Sequence, residues 1–200
     1  MTRANLVGGV LAAIILAVPC LALAPAMQDE RRMTMCAMNL KSLWQSCLNY
    51  ASQYGRPNGI LQPETGTDFW LKLKKTPKPI IDRTEVYYCP LAGHDPTLDQ
   101  TSYRGPGSNA NKMEDESPVG ADFDGNHGAG RGGNVMSKMG DIRPYKADDA
   151  FWKKCDEVLA GTPPLTKAQA IEKRIADLEK AVKELTELVK ELKARVDKSK

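Results

Sequence analysis

Two hundred residues, 42% hydrophobic and 26% charged, fit one medium domain with appendages. The formal charge of +3 is unevenly spread: residues 166–200 hold ten Lys/Arg and seven Asp/Glu, whereas the other 165 hold eighteen of each. No basic face is implied, which argues against a nucleic-acid partner.

The chain opens on a segment, Asn5 to Met27, that carries no charge and is apolar almost throughout. As a helix it is long enough to span a bilayer core of ~30 Å. Arg3 before it and Ala24-Pro25-Ala26 near its end also make a passable signal peptide. Pro19 stands before Cys20 where lipidation would want a small residue. The expectation is an uncleaved transmembrane helix over residues 1–27, with the following domain facing the periplasm from the inner membrane. The alternative is a periplasmic or secreted protein released by signal cleavage.

Nothing breaks a helix between Gln28 and Tyr54, and Gly55-Arg56-Pro57-Asn58-Gly59 ends it. Cys36, Leu40, Leu43, Cys47, Tyr50/Ala51 and Tyr54 recur at steps of three and four, an apolar stripe that must pack on something. The middle of the chain supplies short elements. Asp68–Leu73 reads as a short helix. Glu85–Cys89 reads as a strand and Thr101–Arg104 as another; Val119–Asp122 and Asn134–Lys138 flank a glycine-rich loop over 124–133, Asp141–Tyr145 follows a Gly140 turn, and Asn134–Ser137 is expected in the sheet. Together these predict an α+β fold over residues 28–160: one long helix laid on a small antiparallel sheet.

Cys36-x-x-Asn39-Leu40-Lys41-x-Leu43, then Tyr50 and Tyr54-Gly55, resembles the start of the bacterial prepilin-type, pseudopilin-like proteins of the H-x9-D-G group. Tyr88-Cys89-Pro90 and Thr101-Ser102-Tyr103 resemble two of that group's later strings. Asn126-His127-Gly128 through Gly132-Gly133-Asn134-Val135 and Gly140 resembles its terminal motif. The resemblance covers roughly residues 10–145. It implies a pilin-like fold and a non-enzymatic structural or assembly role among other pseudopilins, as in type II secretion. Gly8 stands where the group's leader glutamate would be, and Met139 replaces the aspartate of the terminal motif. Prepilin-peptidase processing is therefore not carried over.

Candidate sites are few. Asp122-x-Asp124-x-Asn126 offers three oxygen side chains at alternate positions, the kind of donor calcium takes, although the full EF-hand pattern fails at His127 and Gly133. The same residues can simply build a turn. An exported binding module using loop 122–134 for calcium or another ligand is the alternative function. No other cofactor is implied. His94 and His127 are the only histidines, and no catalytic signature surrounds them or Cys89. The glycines of the loop lack the Gly-Lys-Ser/Thr of a phosphate cradle. Cys36, Cys47, Cys89 and Cys155 contain no C-x-x-C pair, which argues against a zinc ribbon or thioredoxin-type site. Cys36 and Cys47 lie about 16 Å apart along one helix and cannot bridge each other. Disulfides in an oxidising compartment would join this helix to Cys89 and to Cys155; buried free thiols are the other reading.

Asp148–Cys155 begins a short helix, and residues 161–165 form a linker containing Pro163-Pro164. Residues 166–200 differ in kind. Ile175, Val182, Val189 and Val196 recur every seven, as do Ile171, Leu178, Leu185 and Leu192. These are the a and d positions of a coiled coil. β-Branched a with Leu at d favours a parallel dimer, while Arg174-Ile175-x-x-Leu178-Glu179 resembles a trimerisation pattern. The expected partner is thus a second or third copy of the chain, with the membrane engaged at the other end. A helix folded back on its own domain is the competing arrangement.

Overall fold

The computed structural model describes residues 29–55, 59–94 and 99–198. Helix α1 covers residues 29–53. Its last turn closes through Tyr54 N to Tyr50 O at 2.8 Å and Gly55 N to Ala51 O at 3.1 Å. A short α2, Thr67–Leu71, follows, then a 3-10 turn at Thr84–Tyr87. Strands β1 (Tyr103–Pro106), β2 (Pro118–Asp122), β3 (Gly133–Ser137) and β4 (Ile142–Tyr145) come next. Helix α3 (Ala150–Val158) leads directly into β5 (Leu159–Ala160), and α4 runs from Lys167 to Lys198.

The sheet has the order β4-β3-β2-β1-β5 and every pairing is antiparallel. Its free edges are blunted: β5 is two residues long, and β4 carries Arg143 and Pro144. The α+β class and the long helix on an antiparallel sheet are as the patterning implies. The sheet is covered on both faces, however, which period-two alternation makes possible. Tyr103, Val119 and Met136 join Leu40, Leu43, Phe69 and Trp70 in the core beneath α1 and α2. Ala121 and Val135, a facing pair, point the other way and meet Trp152, Cys155 and Leu159 of α3 and β5. Arg104 lies on this second face, its guanidinium 4.8 Å from the Trp152 ring centroid and paired with Asp156.

β2 changes register between Pro118 and Gly120. Gly120 sits under the crossing of two large side chains: a Cβ there would lie 2.6 Å from Trp70 Cζ2 and 3.2 Å from Leu40 Cδ1. A glycine is what lets α1 and Trp70 approach the sheet this closely.

Three expectations need correction. Glu85–Cys89 is not a strand. Val86, Tyr87, Tyr88 and Cys89 are buried, but the segment is a 3-10 turn outside the sheet. Its carbonyls are satisfied singly: Asn39 Nδ2 of α1 donates to Tyr88 O at 3.1 Å, and Ser102 N donates to Tyr87 O at 2.8 Å. A continuous apolar run signals burial, not strand geometry. Tyr54, placed on the apolar stripe by its spacing, is exposed and stacks tilted on Tyr50. The expected transmembrane helix finds no counterpart in the structure: among the described residues no helix is long and apolar enough to cross a membrane. The first turn of α1 carries Asp29, Glu30, Arg31 and Arg32, and α4 is charged throughout its length. Residues 1–27, to which that expectation was attached, lie outside the described residues.

α4 is started firmly. Thr166 and Gln169 form a reciprocal cap, with Thr166 N donating to Gln169 Oε1 at 3.0 Å and Gln169 N donating to Thr166 Oγ1 at 3.3 Å. Thr166 forms an isolated antiparallel bridge with His94, Leu165 N donates to Gln100 Oε1 at 2.8 Å, and Ala170 is buried. Beyond that first turn the helix leaves the body.

Candidate functional site

The interface between α1 and the sheet holds an unusual polar cluster. Cys36 reaches it from α1, Cys89 from just after the 3-10 turn, Asp122 from the end of β2 and His127 from the β2–β3 loop. One ligand-type atom from each lies within 4.8 Å of the others. All four residues are buried, at 0%, 2%, 0% and 4% exposure respectively.

Local structure explains each placement. Cys36 falls on the stripe that also buries Leu40 and Leu43, so it must face the sheet. Tyr103, opposite Asp122 in the β1–β2 register, sends its hydroxyl to Cys36 O at 3.4 Å. Asp122 ends β2 on the α1 face. Its Oδ2 accepts from Asn134 N at 2.7 Å and Asn134 Nδ2 at 3.0 Å. Gly133 leaves room for it, since a Cβ there would lie 2.7 Å from Asp122 Cβ. The loop carrying His127 is folded by Asn126, whose Nδ2 donates to Ser102 O at 2.7 Å. Arg131 of the same loop pairs with Asp29 of α1 at 3.0 Å.

The cluster is incompletely satisfied. Asp122 Oδ1 and both His127 ring nitrogens are buried without a hydrogen-bond partner. His127 Nε2 lies 3.5 Å from Asp122 Oδ2. The electrostatics are strongly shifted. The hydrogen bond from Cys36 lowers the Cys89 thiol to about 5 against its burial, with His127 assisting, and Cys36 is raised by that same contact and by burial. Burial lifts Asp122 to about 6, opposed by His127 and Asn134. Burial disfavours the His127 cation, but Cys89 and Asp122 outweigh it and raise its pKa.

A low-pKa thiol beside an imidazole and a carboxylate has the parts of a nucleophilic centre. Here the parts are packed beneath α1, with Cys89 only 2% exposed. His94, the other histidine, is elsewhere: its Nδ1 lies 2.6 Å from Ser102 Oγ.

Of the calcium candidates, the structure takes Asp122 inward to this cluster, leaves Asp124 exposed, and commits the Asn126 amide to Ser102. Of the four cysteines, all free and buried, Cys36 and Cys89 come together. Cys47 accepts from Gln62 Nε2 at 2.9 Å in the α1 core, and Cys155 donates to Phe151 O at 3.3 Å in the core beneath α3. Local spacing does not reveal the cluster, because Cys36 and Cys89 are far in sequence from each other and from the Asp122–His127 pair.

Compared with known proteins, the chain matches no family model, no curated protein and no solved structure. Nothing in these comparisons supports type II secretion, and that expectation is withdrawn.

Proposed function

We propose that this chain is a non-enzymatic, extracytoplasmic structural protein of pseudopilin-like build that assembles with copies of itself through α4. One observation carries the reading. Ile171, Ile175, Leu178, Val182, Leu185, Val189 and Leu192, the described a and d side chains, are each between 51% and 65% exposed. Val196, the eighth position, lies among residues whose side chains are not described. An apolar seam of this length left in water is the mark of a helix built for a partner. Isolated helices gain little stability in water, so the stripe is best accounted for by burial between chains.

A second copy fits by charge as well as by shape. In a parallel pair, the g residue of one helix faces the following e residue of the other. Lys167 then faces Glu172 and Arg174 faces Glu179, both attractive. The build of the body, a long helix on one face of an antiparallel sheet, supports the pseudopilin-like reading. The sealed Cys89–His127 pair supports a non-enzymatic one.

The test is sedimentation equilibrium of a chain beginning at Met27. A dimer or a trimer is expected. Leu185→Lys removes an apolar contact of ~1.5–3 kcal/mol from each helix and puts a charge in the seam. Across two chains that weakens association at least about a hundredfold. Glu187→Gln, on the outer face, leaves the mass unchanged. A wild-type monomer at high micromolar concentration, or an undiminished mass for Leu185→Lys, overturns the proposal.

A further inference from the structure

We propose that Cys36, Cys89, Asp122 and His127 form a closed, four-coordinate structural site for zinc. The inference is independent of assembly through α4 and stands on donor chemistry, geometry and unsatisfied atoms.

Two thiolates and an imidazole select a borderline-soft cation and disfavour calcium or magnesium, which want oxygen alone. A tetrahedral zinc shell with bonds of 2.0–2.3 Å puts its ligand atoms roughly 3.3–3.8 Å apart. The Asp122 carboxylate and the imidazole are already neighbours: His127 Nε2 lies 3.5 Å from Oδ2, the oxygen that Asn134 holds, and Oδ1 is the oxygen left for the ion. One ligand-type atom from each residue lies within 4.8 Å of the others, so closing to such a shell takes at most roughly 1–1.5 Å per pair. The four residues come from α1, the segment after the 3-10 turn, β2 and the β2–β3 loop, and their ligand-type atoms converge within that distance of one another.

Burial without a partner is costly for a polar atom, and more so for a charge. Asp122 Oδ1 and both nitrogens of His127 are in that condition within the cluster. A cation at the centre satisfies one ring nitrogen and the free carboxylate oxygen at once. It also offsets the charge that two thiolates and a carboxylate would otherwise bring beneath α1. The outer shell is suited to the task. Asn134 holds Asp122 Oδ2 with two donors, which orients the carboxylate and leaves Oδ1 free. The complete burial of all four ligands leaves no open position for substrate, so the role is that of a staple: the ion clamps α1 to the sheet and to the β2–β3 loop. A Cys36–Cys89 disulfide would serve the two sulfurs but leave Asp122 and His127 unsatisfied.

The experiment uses the full chain, purified with zinc present, dialysed and analysed for metal, with thiols counted by mass spectrometry after alkylation. One equivalent of zinc per chain is expected, together with a fall in thermal midpoint on chelation that added zinc reverses. Cobalt(II) in place of zinc gives tetrahedral d–d bands with a thiolate charge-transfer band. Cys89→Ser and His127→Gln lose the metal, and Cys47→Ser retains it. The cobalt spectrum of the unaltered chain reads the donor set even where a variant fails to fold. Less than a tenth of an equivalent of metal under saturating zinc overturns the proposal. So does a Cys36–Cys89 disulfide in the purified chain, or an unchanged cobalt spectrum in a folded His127→Gln variant.

Discussion

Leu43→Ala and Leu48→Ala remove the same three carbon atoms from one helix, five residues apart. Leu43 is 0% exposed and belongs to the core between α1 and the sheet, whereas Leu48 is 50% exposed on the far side. Leu43→Ala loses its transfer energy and leaves a cavity, since Trp44, Trp70 and the sheet cannot collapse fully into the space; the cost is about 2.7–5 kcal/mol. Leu48→Ala loses half-solvated contacts and gains slightly in helix propensity, so its effect stays within about 0.5 kcal/mol. Against a total stability of roughly 5–15 kcal/mol, the first change removes a large share and the second is hard to detect. Urea unfolding followed by far-ultraviolet circular dichroism measures both, with equal slopes as the check that only stability has changed. A cost below about 1 kcal/mol for Leu43→Ala, or equal costs for the two variants, refutes the placement of α1 on the sheet.

Gly120→Ala drives a methyl to 2.6 Å from Trp70 Cζ2, and is expected to cost about 1–3 kcal/mol, read as a lowered thermal midpoint; an unchanged midpoint means that Trp70 does not sit on β2. His94 is held below its ordinary pKa of 6.5 by burial, so the fold favours the neutral ring and the unfolded chain takes up the proton first. Its contribution is therefore complete above 6.5 and declines as pH falls through that value towards the folded one. The stability of the protein relative to His94→Gln should drop as pH falls through about 6.5 and below, and parallel pH profiles for the two would rule the idea out.

The helices were legible because their information is local. Cys36, Leu40, Leu43 and Cys47 repeat at helical spacing, and one face of α1 is buried as that spacing requires. The heptads of α4 are read from neighbours three to seven residues apart, whereas its Thr166–Gln169 cap was not read from the sequence. The short pieces at Thr101–Arg104, Val119–Asp122, Asn134–Lys138 and Asp141–Tyr145 overlap β1 to β4, because turn residues bound most of them. The strand expected at Val86–Cys89 failed because its carbonyls were claimed by Asn39 and Ser102, partners far away in sequence. β5 was missed for a related reason. Two residues have no periodicity, and Leu159–Ala160 is a strand only because β1 lies open beside it.

The cluster at the α1–sheet interface shows the same limit in its sharpest form. Each member has an ordinary local explanation: Cys36 as part of an apolar stripe, Cys89 at the end of an apolar run, Asp122 in a turn, His127 in a loop. Metal signatures such as paired C-x-x-C or H-x3–5-H motifs need ligands grouped in close pairs along the chain. Here Asp122 and His127 form one such pair, but Cys36 and Cys89 stand alone and arrive by way of a helix crossing and a 3-10 turn. What turns four commonplace residues into a site is the β1–β2 register that sets Tyr103 opposite Asp122, and the hydrogen bond that ties Tyr103 to the turn of α1 holding Cys36. The same contacts that seat α1 on the sheet therefore assemble the cluster, so packing of the core and completion of the site are one event. A cation held there would act on folding first, because it bridges elements that chain entropy otherwise keeps apart.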